Sequence, residues 1–152
     1  MNGALEKEPD MTIAALLRGR SDSVISVAPD MLVRDVIALL ADKRIGAVPV
    51  VEAGAVVGIM SERDVIYHLR SDGAKFLDWP VRRAMTSPVI SVTSDISPLE
   101  ALAMMTQKRI RHLPVIDGDT VAGFISIGDL VKARMEKIES EAEAMREYIQ
   151  TA

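Results

Sequence analysis

The sequence predicts a mixed α/β (α+β) fold built from two pseudo-symmetric β-α-β-β-α repeats packed together, followed by a C-terminal helix. Three observations carry this. The chain matches itself when shifted by 65 residues. Each copy alternates short β-branched runs with stretches whose apolar residues recur at helical spacing. The last part of the chain carries apolar residues spaced alternately four and three apart.

The self-match sets the architecture. "VISV" at Val24–Val27 falls on "VISV" at Val89–Val92, and "KRIGAVPVV" falls on "KRIRHLPVI". "GIMSERD" at Gly58–Asp64 falls on "GFISIGD" at Gly123–Asp129. From Val24 to Val65 the alignment needs no gap and holds 15 identities in 42 positions. Chance would give roughly one identity in fifteen to twenty positions, so the chain is an internal duplication.

Within each copy the elements follow in order. "VISV" reads as a short strand. Val33, Val36, Ile37 and Leu40 then share one face of a helix. In the second copy Ser97 can cap that helix, Pro98 suits its first position and Glu100 completes a capping box. "AVPVV" and "VVGIM" form a strand pair joined across "EAGA", with "DGDT" at the same place in the second copy. A second helix opens at Ser61 or Ser126. One unit of about 45 residues buries too little surface to stand alone, and two packed together resolve that. Ser71–Ser87 is broken by "SDG" and "DWP", with one short helix near Val81–Met85. We divide the chain into an N-terminal tail (1–10), repeat 1 (11–71), linker and repeat 2 (72–135), and a C-terminal helix (136–152).

Composition excludes several classes. The formal charge is −4 and aromatic residues make up 3% of the chain, which argues against a nucleic-acid face needing cations and stacking platforms. The absence of cysteine removes disulfides, thiolate nucleophiles and cysteine zinc sites. The apolar run "MTIAALL" is too short to span a membrane and lacks the basic flank of a secretion signal. The expectation is a soluble cytoplasmic protein with no membrane or nucleic-acid partner.

Two β-α-β-β-α copies, each with a central "PV" strand and a Gly-apolar-apolar-Ser-x-x-Asp ending, resemble a tandem pair of CBS domains, called a Bateman module. The resemblance covers roughly Met11–Met135, and the layout is similar to stand-alone bacterial CBS-pair proteins. It implies a non-catalytic regulatory module that binds adenosine-containing ligands: AMP foremost, or ADP, ATP, NAD or S-adenosylmethionine. It implies no required cofactor, and a homodimer joined through helices into a flat disc. The regulated partner protein is not named by it.

The resemblance also implies clefts shared between copies. Carried onto this chain, one joins Ser61, Arg63 and Asp64 to Ile90, Arg111 and His112. The other joins Ser126 and Asp129 to Ile25, Gly46 and Ala47. The first set contains arginines suited to phosphate; the second contains no cation. Each residue also has a plainer reading. Ser-x-x-Asp caps a helix whether or not it meets a ribose. Arg111 serves equally as a solvated surface arginine, and His112 as a packed or capping histidine. Gly58 and Gly123 suit a close backbone approach or a strand-end kink.

Catalysis finds no footing. His68 and His112 are the two histidines, and no phosphate-binding loop, nucleophile elbow or metal-spaced set of His and carboxylates is present. The C-terminal seam Val131, Met135, Ile138, Ala142, Met145 and Ile149 follows a heptad. It either packs on its own module or pairs with a second copy. A scaffold whose working surface is the charged "EKIESEAEAMRE" is the alternative function.

Overall fold

The computed structural model describes residues 12–20 and 24–151; the tail assigned to residues 1–10 lies outside them. Six α-helices and four strands follow one another among the described residues: α1 (Ile13–Arg18), α2 (Val33–Lys43), β1 (Ala47–Glu52), β2 (Ala55–Ser61), α3 (Glu62–Asp72), α4 (Val81–Ala84), α5 (Pro98–Lys108), β3 (His112–Asp117), β4 (Thr120–Ser126) and α6 (Ile127–Thr151). The order is that of two β-α-β-β-α copies with their first strands reduced. β1 pairs with β2 and β3 with β4 in two-stranded sheets.

Two compact units emerge, and they do not coincide with the two copies. One contains Asp22–Ser91 together with Pro114–Phe124 from the second copy. Its core is apolar: Val27, Val33, Val36, Leu40, Val48, Val50, Met60, Phe76, Val81 and Ala84. The other contains α1, α5, the outer ends of the second strand pair and α6. Ile13, Ala101, Met105, Leu113, Ile125 and Leu130 are buried there. Its first helix is tied to the second copy, because Ile13 N donates to Ile96 O and Ala14 N to Ser94 O, each at 2.8 Å.

The α2 stripe forms as its spacing requires: Val33, Val36 and Leu40 are buried, and Ile37 packs against the same core. Each such side chain contributes about 1.5–3 kcal/mol on burial. At α5 the capping box is complete, with Ser97 Oγ accepting from Glu100 N and the Glu100 carboxylate accepting from Ser97 N. Both helices end on an arginine in the left-handed region, Arg44 (φ 52°) and Arg109 (φ 54°). These lie 65 residues apart, so even this unusual cap is duplicated. Ile45 N reaching Leu40 O and Ile110 N reaching Met105 O close the two ends.

Two features differ from the sequence expectation. "VISV" in the first copy is not a strand of its own length but one parallel bridge, Val27 to Val50. Val27 N donates to Pro49 O, and Val27 O accepts from Val51 N. Only the buried Val27 is gripped, while Ile25 and Ser26 face outward. The linker is also more ordered than its breaks suggest. α3 runs through to Asp72, a 3-10 helix spans Gly73–Asp78, and α4 falls where the short helix was expected.

Candidate functional site

Each Ser-x-x-Asp box sits where a strand turns into a helix. Ser61 ends β2 with an extended backbone, so its Oγ accepts from Asp64 N at 3.3 Å while Asp64 Oδ2 accepts from Ser61 N at 2.9 Å. The Ser61 hydroxyl also donates to Oδ2 at 3.0 Å. Oδ1 accepts from Thr86 Oγ1 at 2.8 Å. Thr86 is held there by two backbone bonds with Ile59, Ile59 N to Thr86 O at 3.0 Å and Thr86 N to Ile59 O at 2.8 Å. Gly46 O accepts from Glu62 N at 3.0 Å, and Ala47 is the register partner of Ser61. Gly46, Ala47, Ser61 and Asp64 thus lie together in one unit, which also holds Ile25, Arg63 and Ile90 with exposed side chains.

The second box repeats this in the other unit. Asp129 Oδ2 accepts from Ser126 N at 2.7 Å, and Ser126 Oγ accepts from Asp129 N at 3.2 Å. Arg111 O accepts from Ile127 N at 2.8 Å, as Gly46 O does from Glu62 N. The side chain of Arg111 is exposed, and His112 opens β3 half-buried.

Here the sequence expectation is corrected. The Asp129 box was expected to lack a cation, yet Arg20 Nη2 lies 2.7 Å from Asp129 Oδ1. Arg20 precedes the gapless self-match, and its counterpart 65 residues on is Met85, so comparison of the copies could not assign it. α1 delivers it through the bonds to Ser94 and Ile96. Thr86 was missed as well. A signal was present: the same shift places it on Ser21, so both copies carry a hydroxyl just before the first strand.

The two carboxylates therefore differ. Asp64 is satisfied by neutral donors, Asp129 partly by a guanidinium. Burial works to raise the Asp129 carboxyl, but the Arg20 bond, the Ser126 amide and hydroxyl, and the charge of Arg20 together hold it below the usual aspartate range. A carboxyl lowered in the folded state stabilises the fold above its unfolded pKa of about 3.9 and loses that contribution as pH falls through the folded value. Both side chains are about one-third exposed, so after solvent screening the pair contributes about 0.5–1 kcal/mol. Arg20→Ala should lower the melting temperature by roughly 1–4 °C at pH 7, and the gap should narrow steadily as the pH falls below about 3.9. A gap that keeps its size over that fall would remove the ion pair as its cause.

Gly58 has a packing reason. It is buried opposite Val50 in β1, and a Cβ there would overlap Met85 Sδ and come within 2.7 Å of Met85 Cγ. Gly58 lies in the middle of β2, not at its end, and makes room for a side chain of its own unit. Gly58→Ala should cost about 1–3 kcal/mol by overpacking, and Met85→Ala in the same chain should recover part of it. Additive losses in urea unfolding would show that the two positions do not compete for space.

Among the described residues no group of three or more His, Asp and Glu could hold a metal ion, and no helix is long and apolar enough to cross a membrane.

A duplicated strand-helix box on a doubled β-α-β-β-α frame defines a CBS-domain pair, a regulatory module. The chain belongs to the CBS domain family, which it matches twice, over residues 20–71 and 81–136. It is 30% identical over 112 residues to the CBS domain-containing protein YhcV of Bacillus subtilis, covering 74% of this chain and 79% of that one. Its fold superimposes on the CBS-domain containing protein ATU1752 from Agrobacterium tumefaciens with a TM-score of 0.77 and 37% identity, over 82% of this chain and 93% of that one. It is also similar in fold, at 21% identity and a TM-score of 0.72, to the CBS domain pair of protein MJ0100, solved with 5′-methylthioadenosine and S-adenosyl-L-methionine; that match covers 83% of this chain and 97% of the other.

Proposed function

We propose that this CBS pair binds an adenosine-containing ligand, AMP before ADP, ATP, NAD or S-adenosylmethionine, and converts its level into a change of shape read by another protein. The observation that carries this is the pair of carboxylates, Asp64 and Asp129, each fixed at a helix start by its own serine. An aspartate so placed can accept both hydroxyls of a ribose, and its rotamer is already set by the cap. Thr86 and Arg20 hold one oxygen of each, so ribose must share or displace them. Displacing a hydroxyl costs less than breaking an ion pair, which favours Asp64 for the tighter ribose contact. Arg63, next to Asp64 in the chain, offers a charge-assisted bond to a phosphate, and Arg111, whose carbonyl accepts from Ile127 N beside Ser126, offers one at the Asp129 box. The fold-level likeness to a domain pair solved with adenosine compounds agrees with this ligand class.

The module works as a homodimer in the cytoplasm and has no catalytic role of its own. Binding drives its change of shape only as far as the ligand prefers one arrangement over another. The test is a thermal-shift series with AMP, ADP, ATP, NAD and S-adenosylmethionine. Saturation at a hundredfold excess over the dissociation constant stabilises by about 2.7 kcal/mol. No shift with any of the five at millimolar concentration would remove the nucleotide reading. The scaffold reading would then gain, since exposed α6 offers a surface that needs no nucleotide. Absorbance at 260 nm of the purified, denatured protein detects an adenine carried from the cell.

A further inference from the structure

We infer that α6 pairs with α6 of a second copy as a parallel, in-register coiled coil. The inference deepens the homodimer reading above and rests on it. One face of the helix is already used. Leu130 is fully buried, and Ala133 and Lys137 are half-buried on the same side, three and four residues apart. These residues hold α6 to its own unit, where α5 is its neighbour. The heptad seam is a different stripe. Val131, Met135, Ile138, Met145 and Ile149 are 44–67% exposed, and Ala142 is exposed with them. The seam is therefore not the face that packs on its own module.

From Ile138 to Thr151 every residue of α6 is exposed. A helical stretch of that length with no tertiary packing is marginal in water. An apolar stripe along it, flanked by charges, is the pattern of a helix that finds its packing on a partner.

Charge selects the partner and its direction. With Met135, Ala142 and Ile149 at a and Val131, Ile138 and Met145 at d, the e positions are Lys132, Glu139 and Arg146, and the g positions are Arg134, Glu141 and Tyr148. In a parallel pair each g residue meets the e residue five places on in the other helix. That gives Arg134 with Glu139 and Glu141 with Arg146, each twice by symmetry, and all attractive. An antiparallel pair of full overlap sets 131 against 149, 135 against 145 and 138 against 142. Its flanks then meet e to e and g to g: Lys132 with Arg146, Glu139 with Glu139, Glu141 with Glu141. All of those repel. The apolar seam allows either direction, and the charges permit one. Glu141 also lies 3.8 Å from Lys137 of its own helix, an exposed i,i+4 pair of little weight, so Arg134 and Glu139 make the cleaner test.

The cysteine-free chain makes that test direct. Met135→Cys and Met145→Cys are prepared separately in the full chain and oxidised mildly at micromolar concentration. The parallel pair brings each cysteine to its own copy, within disulfide reach, so each variant cross-links alone. Arg134→Glu should weaken the dimer by about three- to tenfold, as expected for two exposed pairs turned from attraction to repulsion, and adding Glu139→Arg should restore it. Cross-linking only in a mixture of the two cysteine variants would mean an antiparallel pair and overturn the inference. A dimer by light scattering that cross-links in neither case would place the interface elsewhere, for example on the exposed Ile66, Tyr67 and Leu69 of α3; the inference would fail and the homodimer would stand. A full-length chain that scatters as a monomer at micromolar concentration would sink both, and the thermal-shift series would still judge the nucleotide reading by itself.

Discussion

Phe76→Ala should lower the unfolding free energy by about 3–5 kcal/mol, the usual cost of deleting a buried phenylalanine. Phe76 lies in the 3-10 helix between α3 and α4 and is fully buried. Its ring stacks on His68 with centroids 5.8 Å apart and meets Trp79 edge-on at 6.3 Å. Arg83 lies over Trp79, 3.9 Å from the ring centroid. His68 is fixed at both ring nitrogens, 3.1 Å from Asp72 Oδ2 and 3.1 Å from Ala84 O, so it cannot move into the space left behind. A domain holds only about 5–15 kcal/mol in total, and the expected fall in melting temperature is on the order of 10 °C. Phe76→Leu should retain most of the stability. A Phe76→Ala chain melting within two degrees of the parent, where roughly ten are expected, would mean that the linker is not a working part of this core.

Asp64→Ala should weaken AMP binding by roughly 10- to 150-fold, the equivalent of 1.5–3 kcal/mol for hydrogen bonds to a charged group. The structure adds a second, separable effect. Asp64 accepts from Ser61 N, from the Ser61 hydroxyl and from Thr86, so alanine also removes a helix cap worth about 0.5–2 kcal/mol. The two effects separate in measurement: the unliganded melting temperature reports the cap, and calorimetry with AMP reports the ligand. Asp64→Asn keeps an oxygen for Ser61 N and loses the charge, so it should retain most of the stability and lose most of the affinity. Asp129→Ala should affect a weaker or different ligand, because Arg20 already occupies part of its carboxylate. Arg63 is next to Asp64 in the chain, so Arg63→Ala should weaken AMP much more than adenosine, which has no phosphate. Tight AMP binding lost with Asp129→Ala and kept with Asp64→Ala would reverse the assignment of the two aspartates.

Much of this is legible in the amino-acid sequence alone. The 65-residue shift, the Ser97–Glu100 capping box, the α2 stripe and both Ser-x-x-Asp helix starts follow from local rules. A cap needs residues three apart, and a helix stripe needs residues three and four apart. Such patterns survive in a linear string because their partners are neighbours in it. The duplication strengthened them, since each motif could be read twice. Arg20 was invisible to the same reasoning because it meets Asp129 across more than a hundred residues and outside the self-match. Thr86 was hidden for a similar reason: its contact with Asp64 depends on the bridge to Ile59, which no spacing rule encodes.

By itself, the sequence determined the duplicated β-α-β-β-α order, the class of module that order defines, and the two aspartates at helix starts. These are consequences of hydrophobic period and side-chain-to-backbone bonding within a few residues. It also supplied the α6 seam but left open whether that seam faced inward. Only the tertiary structure decided that, by burying Leu130 and half-burying Ala133 and Lys137 and leaving the seam outside. It likewise decided that Gly58 clears space for Met85, that the linker closes a core around Phe76, and that one carboxylate is met by a threonine and the other by an arginine. The physical reason is common to all four. Which face of a helix is covered, and which distant side chain reaches a given oxygen, is settled by how whole elements pack and not by the spacing of residues along them.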